Sequence, residues 1–307
     1  VASLAKAQKT EIFSDVTPDP PVELVAAGTA QVKALEPDTI VALGGGSAMD
    51  CAKAIGYFGK GEYTLAAIPT TSGSGSEVTD FAILTHENVK HPLVDERLRP
   101  DVAILDADLL GELPAGLIAD TGFDVLTHAL EAYVATDAGT ITDSFAREAF
   151  CTAYALLPAS YAGRKEVRLK VHQAATMAGL AFTQAGLGLC HAMVHTLGGM
   201  FHVPHGRLNA VLLPAVLEYN LAQCATLYAA PAKKLGFSTG RSLVYGLKHL
   251  CRELKLPGTL RAAGIPREEL LHSLKALCQA ALADPCTAHN PRVPTQEDYA
   301  GILRKCS

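Results

Sequence analysis

Apolar residues follow two different rhythms along this chain. Up to about residue 108, short continuous apolar runs alternate with stretches of three-to-four spacing. "EIFSD" (11–15) predicts a strand ending in the turn "TPDPP", and Val22 to Leu35 predicts an amphipathic helix. "TIVALGGGS" predicts a strand running into a glycine turn, and "AMDCAKAIGYF" a helix. "LAAIPTTSGSGS" and "DVAILD" add two more strands. Continuous apolar strands separated by helices predict a parallel sheet covered on both faces. From about Leu109 the three-to-four spacing takes over and strand-like runs disappear. "ELPAGLIADTGFDVLTHALEAYVA", "TDSFAREAFCTAYALLPASY", "EVRLKVHQAATMAGLAFTQA" and "GRSLVYGLKHLCRELKL" all predict helices. The pattern divides the chain into an α/β domain, 1–108, and an all-helical domain, 109–307.

Composition narrows the class. With 307 residues, 49% of them hydrophobic, the chain can bury a large core and is more comfortable as two domains than one. Net charge is −5, with no Lys/Arg block and no basic patch interleaved with aromatics, so no nucleic-acid or anionic-membrane partner is expected. No apolar run reaches the ~18–20 residues of a membrane helix, and no signal-type segment opens the sequence. Eight scattered cysteines without a CxxC pair read as reduced thiols. A soluble cytoplasmic enzyme is the expectation.

Two loops carry candidate binding chemistry. "GGGSAMD" (44–50) sits between a buried strand and a helix, where glycines admit close approach of a phosphate and the helix offers N–H groups and a positive dipole end. Ser47 is placed to cap that helix or bond the phosphate. "PTTSGSGSEVT" (69–79) is a second small-residue loop after a strand, hence at the same sheet edge. Carboxyl ends of parallel strands are where nucleotides bind, so the pair favours a dinucleotide over plain strand–helix turns. A Rossmann-like sheet would carry one more strand–helix pair before "EIFSD", so this domain reads as missing its first βα unit.

Four of the eleven histidines crowd into "GLGLCHAMVHTLGGMFHVPHG" (186–206). His191 and His195 are four apart and share one helical face, while His205 follows Pro204, where the chain can fold back. His202, among glycine and proline, reads as a surface histidine. Upstream, Asp124 and His128 form another i, i+4 pair, on a helix with Gly122 at its start. One such pair alone is usually structural. Two pairs with a further histidine supply the carboxylate and imidazoles that suit Fe²⁺, Zn²⁺, Mn²⁺ or Co²⁺. One histidine more than a tetrahedral set needs, beside a nucleotide loop, points to catalysis rather than a closed structural ion.

Taken together, "GGGSAMDCAKAI", "AIPTTSGSGSEVTDFAIL", "RPDVAILDADLL", "TGFDVLTHALEAYV", "AGLGLCHAMVHTLGG" and "VPHGRLNAVLLPAVLEYN" resemble the iron-containing (group III) alcohol dehydrogenases. The motifs keep the family's order over nearly all of 13–220. "FSDVTPDP" and "ALAD…NPR" resemble most closely the propanol dehydrogenases of propanediol-utilisation microcompartments. The resemblance implies a Rossmann-like dinucleotide domain, a helical domain and a metal in the cleft between them. It places the ligands on Asp124, His128, His191 and His205, and a non-ligand catalytic histidine at His195. It places diphosphate contacts on Gly45, Gly46 and Ser47, further cofactor contacts on Thr70, Thr71 and Ser74, and a ribose contact on Lys90 in "VKHPL". The family segment that sets NAD against NADP preference has no counterpart here.

The chemistry so implied is interconversion of a short-chain aldehyde such as propanal and its primary alcohol, with Fe²⁺ (Zn²⁺ as a substitute) and NAD(H). His195 would pass the proton. The expected partners are the small-molecule alcohol or aldehyde, a further copy of the chain in a dimer or larger homo-oligomer, and microcompartment proteins. Competing readings are a zinc-dependent polyol dehydrogenase of the same superfamily, a zinc hydrolase, for which no HExxH is present, and a non-catalytic microcompartment component.

Overall fold

The computed structural model describes residues 9–87 and 89–307. The chain divides into two compact units. One takes the chain up to Pro69 together with Asp80–Ile104; the other takes Thr70–Thr79 with Leu105–Ser307.

The first unit is Rossmann-like. Helix α1 (Val22–Leu35) precedes strand β1 (Thr39–Gly44), helix α2 (Gly46–Gly59) and strand β2 (Thr64–Pro69); β3 (Phe81–His86), β4 (Val89–Val94) and the two-residue β5 (Val102–Ala103) follow. Strands β1, β2 and β5 form a parallel sheet in the order β1-β2-β5. Alternation along the strands sends Ala42 and Ala67 to one face, where they close on Met49 of α2. Gly44 pairs with Pro69, so both strands end level at one edge. Gly44 has φ of +152°, and a Cβ there would lie 2.6 Å from that of Ala48, which restricts this turn to glycine.

Three expectations change here. "EIFSD" joins no ladder: Phe13 and Val16 pack on the cluster of Val25, Cys51, Ala54, Ile55 and Leu84, while Ile12 is exposed. Its apolar residues serve packing, not pairing. Strands β3 and β4 form an antiparallel hairpin that the pattern did not predict, because Lys90, His91 and Pro92 interrupt the apolar run of β4. The parallel sheet is also covered on one face only among the described residues. Its other face leaves Val41, Leu43 and Val102 exposed.

The second unit is helical: α3 (Ala115–Val134), α4 (Thr140–Tyr161), α5 (Arg168–Ala185), α6 (Leu189–Phe201), α7 (His205–Lys234), α8 (Gly240–Glu253), α9 (Arg267–Ala283) and α10 (Gln296–Cys306). Helix α3 is its axis, buried continuously from Gly122 to Val134 and packed against α4, α5, α6 and α7. Gly122 lies inside α3, not at its start, where it lets Leu157 of α4 close in. Helix α7 is long and apolar enough to cross a membrane, contrary to the sequence-based expectation, yet most of its apolar stretch is buried against neighbouring helices. It carries buried Asn209 and Asn220, as a core helix can when their amides are bonded. Segment Thr70–Thr79 belongs with these helices through the Ser72 Oγ–His172 Nδ1 contact (2.9 Å) and the Thr176 Oγ1 donation to Glu77 Oε1 (2.6 Å).

Candidate metal centre

One face of α3 is polar inside an otherwise apolar unit. Asp120, Asp124, His128 and Glu131 recur at spacings of three to four, and all are buried. Asp124 and His128 point toward His191, which enters from the first turn of α6. His205 comes from α7, as its first helical residue after the N-cap Pro204 and not from a loop.

These four residues converge. Asp124 Oδ1 lies 3.7 Å from His128 Nε2, 3.8 Å from His191 Nε2 and 3.5 Å from His205 Nε2. The His128 and His191 rings are stacked, 4.6 Å apart and inclined by 11°. Donor atoms of Asp124, His128 and His191 all lie within 4.8 Å of one another. Such separations are too long for good hydrogen bonds and suit Asp124, His128 and His191 as donors around one ion, while His205 approaches the same Asp124 oxygen but stands outside that mutually close group. His191 Nε2 is buried with no hydrogen-bond partner, a cost that a bound cation removes. Carboxylate plus imidazole fits Fe²⁺ or Zn²⁺. The Asp124–His128–His191 side is closed, whereas the His205 and His195 side chains are 36% and 35% exposed, so the cluster opens to solvent on one side.

Residues around the cluster hold it in shape. Glu131 accepts from the backbone N–H groups of Gly188 (3.1 Å), Cys190 (2.6 Å) and His191 (3.3 Å), and from His191 Nδ1 (2.6 Å). It therefore caps α6 and turns His191 Nε2 toward Asp124. Asn209 donates to Asp124 Oδ1 (2.8 Å), and Arg207 pairs with Asp120 (2.9 Å), so α7 grips α3 at Asp124 and one turn before it. Sequence reasoning missed Glu131 and Asn209. The signal was available in their helical spacing from His128 and His205.

Protonation follows the packing. Burial pushes His128 down to about 4, only partly offset by Asp124. Burial opposes protonation of His191 too, but the nearby carboxylates of Asp124 and Glu131 win and raise it to about 9. Burial also works against ionisation of Asp124, and the surrounding imidazoles overcome it, holding the carboxyl well below the usual range. His205, exposed along one edge, is driven down by the loss of solvent on its other sides and by the neighbouring imidazoles, against the pull of Asp124.

His195 lies beside the four, its ring 5.5 Å from that of His205 and 5.9 Å from that of His191. Its Nδ1 contacts Asp284 Oδ2 at 2.9 Å. His202, at the C-cap of α6 in the left-handed region, is exposed and outside the cluster.

In the first unit, Gly45 is the N-cap of α2; its carbonyl accepts the Ala48 and Met49 N–H groups (3.0 and 3.1 Å), and those of Gly46 and Ser47 have no intrahelical acceptor. Ser47 does not cap the helix. It sits in the first turn and its Oγ accepts the Asp19 N–H (3.3 Å), while Asp19 Oδ1 accepts from Lys90 Nζ (2.7 Å). The turn "TPDPP" thus links Ser47 to Lys90. In the second unit, Thr70, Thr71 and Ser74 are half-buried, with Ser74 Oγ accepting the Ser76 N–H (3.3 Å).

Residues 1–107 match the model of iron-containing alcohol dehydrogenase, and 118–307 match that of the C-terminal part of the Fe-containing alcohol dehydrogenase family. The chain belongs to the iron-containing alcohol dehydrogenases. It is 41% identical to the 1-propanol dehydrogenase PduQ of Salmonella typhimurium over 97% of this chain and 85% of that one. It is 39% identical to the NADPH-dependent butanol dehydrogenase of Clostridium saccharobutylicum, covering 96% and 83%. The iron-containing alcohol dehydrogenase of Thermococcus thioreducens superposes with a TM-score of 0.93 at 34% identity, covering 99% and 86%. As a family member the chain is an oxidoreductase of the alcohol dehydrogenase and aldehyde reductase type.

Proposed function

We propose that Asp124, His128, His191 and His205 hold Fe²⁺, with Zn²⁺ as a substitute, and that the enzyme interconverts propanal or a similar short-chain aldehyde and its primary alcohol with NAD(H). The observation that carries this reading is the approach of three imidazole Nε2 atoms to one oxygen of Asp124 at 3.5–3.8 Å, beside an unsatisfied buried His191 Nε2. Such an ion, when bound, supplies Lewis acidity at the substrate oxygen. The chain's own residues do the rest. Glu131 keeps the proton of His191 on Nδ1 and Nε2 available. Asn209 fixes the rotamer of Asp124. His195, partly exposed next to the ligands, takes and gives the proton exchanged with the alcohol oxygen.

Residues 1–108 would then serve the dinucleotide and 109–307 the metal and substrate. Gly45, Gly46 and Ser47 would meet the diphosphate at the start of α2, with Thr70, Thr71, Ser74 and Lys90 as further cofactor contacts. The proposed working direction is aldehyde reduction, regenerating NAD⁺. A homo-oligomer in the cytoplasm, enclosed in a microcompartment, is the setting implied by the resemblance to propanol dehydrogenases.

Anaerobic purification with metal analysis, followed by propanal-dependent oxidation of NADH and of NADPH, tests this. About one iron per chain and turnover of propanal are expected. Turnover with propanal that persists after complete metal removal would overturn the assignment. NADPH is included because the clostridial butanol dehydrogenase is described as dependent on it.

A further inference from the structure

His195 has one fixed nitrogen and one free one. Its Nδ1 lies 2.9 Å from Asp284 Oδ2, and its Nε2 has no protein hydrogen-bond partner among the described residues. Asp284 arrives from far along the chain, between the end of α9 and the 3₁₀ turn Pro285–His289, which it caps. Its second oxygen, Oδ1, accepts the Cys286 N–H at 2.9 Å, and its backbone carbonyl accepts the Thr287 N–H at 3.0 Å. The turn itself is tied down: Thr287 Oγ1 donates to the Ala281 carbonyl (2.6 Å), and Asn290, just beyond, accepts the Leu189 N–H of α6 (3.3 Å) and bonds Asn220 (3.0 Å). Pro285 at its first position restricts the backbone further. Both carboxylate oxygens are therefore committed, one to the backbone and one to the ring.

We propose that Asp284 is a positioning residue that holds His195 as the Nδ1–H tautomer, leaving Nε2 as the only nitrogen that exchanges a proton. An ionised carboxylate only accepts, so the ring nitrogen facing it carries the hydrogen whether the imidazole is neutral or charged. Without such a partner a neutral imidazole samples both tautomers, and Nε2 would carry the hydrogen for part of the time. The inference rests on the reading of His195 as the proton carrier.

The turn geometry gives a sharp test. In Asp284→Asn the cap at Cys286 N–H still demands an oxygen, so the amide places its NH₂ against His195 Nδ1. The ring nitrogen must then accept, and the hydrogen moves to Nε2. Imidazole ¹⁵N spectra of zinc-loaded protein, with His195→Ala identifying the signal, should show protonated Nδ1 in the parent and protonated Nε2 in the variant. Turnover should fall about tenfold to a hundredfold, within the range of an orienting partner, with metal content and KM for NADH within twofold. The same substitution in the His195→Ala background should change turnover by less than twofold. Should the amide destabilise the turn, Asp284→Ser still caps Cys286 but cannot reach the ring, and a tautomer mixture is expected. An unchanged tautomer in Asp284→Asn, or an equal loss of turnover in the His195→Ala background, overturns the proposal. A fully active His195→Ala variant would instead overturn the proton-carrier reading and the catalytic half of this inference.

Discussion

At the residue scale, His191 is where the electrostatics are decided. Its neighbours split the two stacked rings apart: His128 has lost its proton above about 4, whereas His191 keeps one up to about 9. Between about pH 6 and 9 a single proton therefore competes with a cation at this cluster, since His205 and Asp124 are already deprotonated there. The sign follows from the raised value. Affinity for Zn²⁺ should climb about tenfold per pH unit up to about 9 and level off above it, with one proton released on binding. Chelator competition across that range measures it; a flat profile would mean that His191 is already neutral at pH 6. The bond that keeps Nε2 facing Asp124 is the one from Nδ1 to Glu131. Glu131→Gln has only one acceptor for four donors and should weaken Zn²⁺ binding roughly 10–100-fold. Of the proposed site, Asp124, His128, His191 and His195 were legible because imidazole and carboxylate at i, i+4 stand out in an apolar helix, while His205 was singled out by its place after Pro204 and by the family resemblance. Glu131 showed the same spacing and was passed over, because a glutamate on a helix is ordinary until its burial is known. Asp284 left no local trace, being 89 residues from its partner.

At the scale of elements, the helices and the parallel sheet of β1, β2 and β5 were legible, and the pairing of the other apolar segments was not. Three-to-four periodicity is a local property, so α1 starts and ends where the pattern placed it. A strand needs an edge to pair with, which the sequence does not display. "EIFSD" found no edge, and the β3–β4 hairpin formed despite Pro92 because its partner lies next to it in sequence. The close approach of the first turn of α7 to Asp120 of α3 depends on one glycine. A Cβ on Gly206 would lie 1.9 Å from the carbonyl oxygen of Asp120 and 2.5 Å from its carbonyl carbon, and backbone cannot move aside cheaply. Gly206→Ala should therefore push the first turn of α7 off α3, at a cost of roughly 1–3 kcal/mol as in other overpacked cores. His205 and Arg207 flank it, so metal occupancy should fall together with the melting temperature. Unchanged melting and full occupancy would show that α7 adjusts without moving His205.

At the scale of the whole molecule, metal and nucleotide chemistry are proposed for different stretches of chain, and they should fail separately. Gly45 is the test position. Its φ of −82° and ψ of −170° suit any L-residue, unlike Gly44 beside it, so Gly45→Val introduces no backbone strain. What a side chain does there is cover the N–H groups at the start of α2, where a diphosphate would approach. Binding of NADH, followed by fluorescence titration, should weaken by at least tenfold, with iron content and melting temperature preserved. Chelation gives the converse. Removing an ion held by α3, α6 and α7 withdraws a stabilisation of about 2.7 kcal/mol for an ion present at a hundred times its Kd. Hydrogen exchange should then accelerate in α6 and the first turn of α7, while β1, β2 and α2 keep their protection and NADH still binds. Loss of iron in Gly45→Val would mark Gly45 as a folding glycine. Loss of NADH binding on chelation would mean that the two chemistries share one structural event, and the division of labour proposed for the two stretches would be wrong.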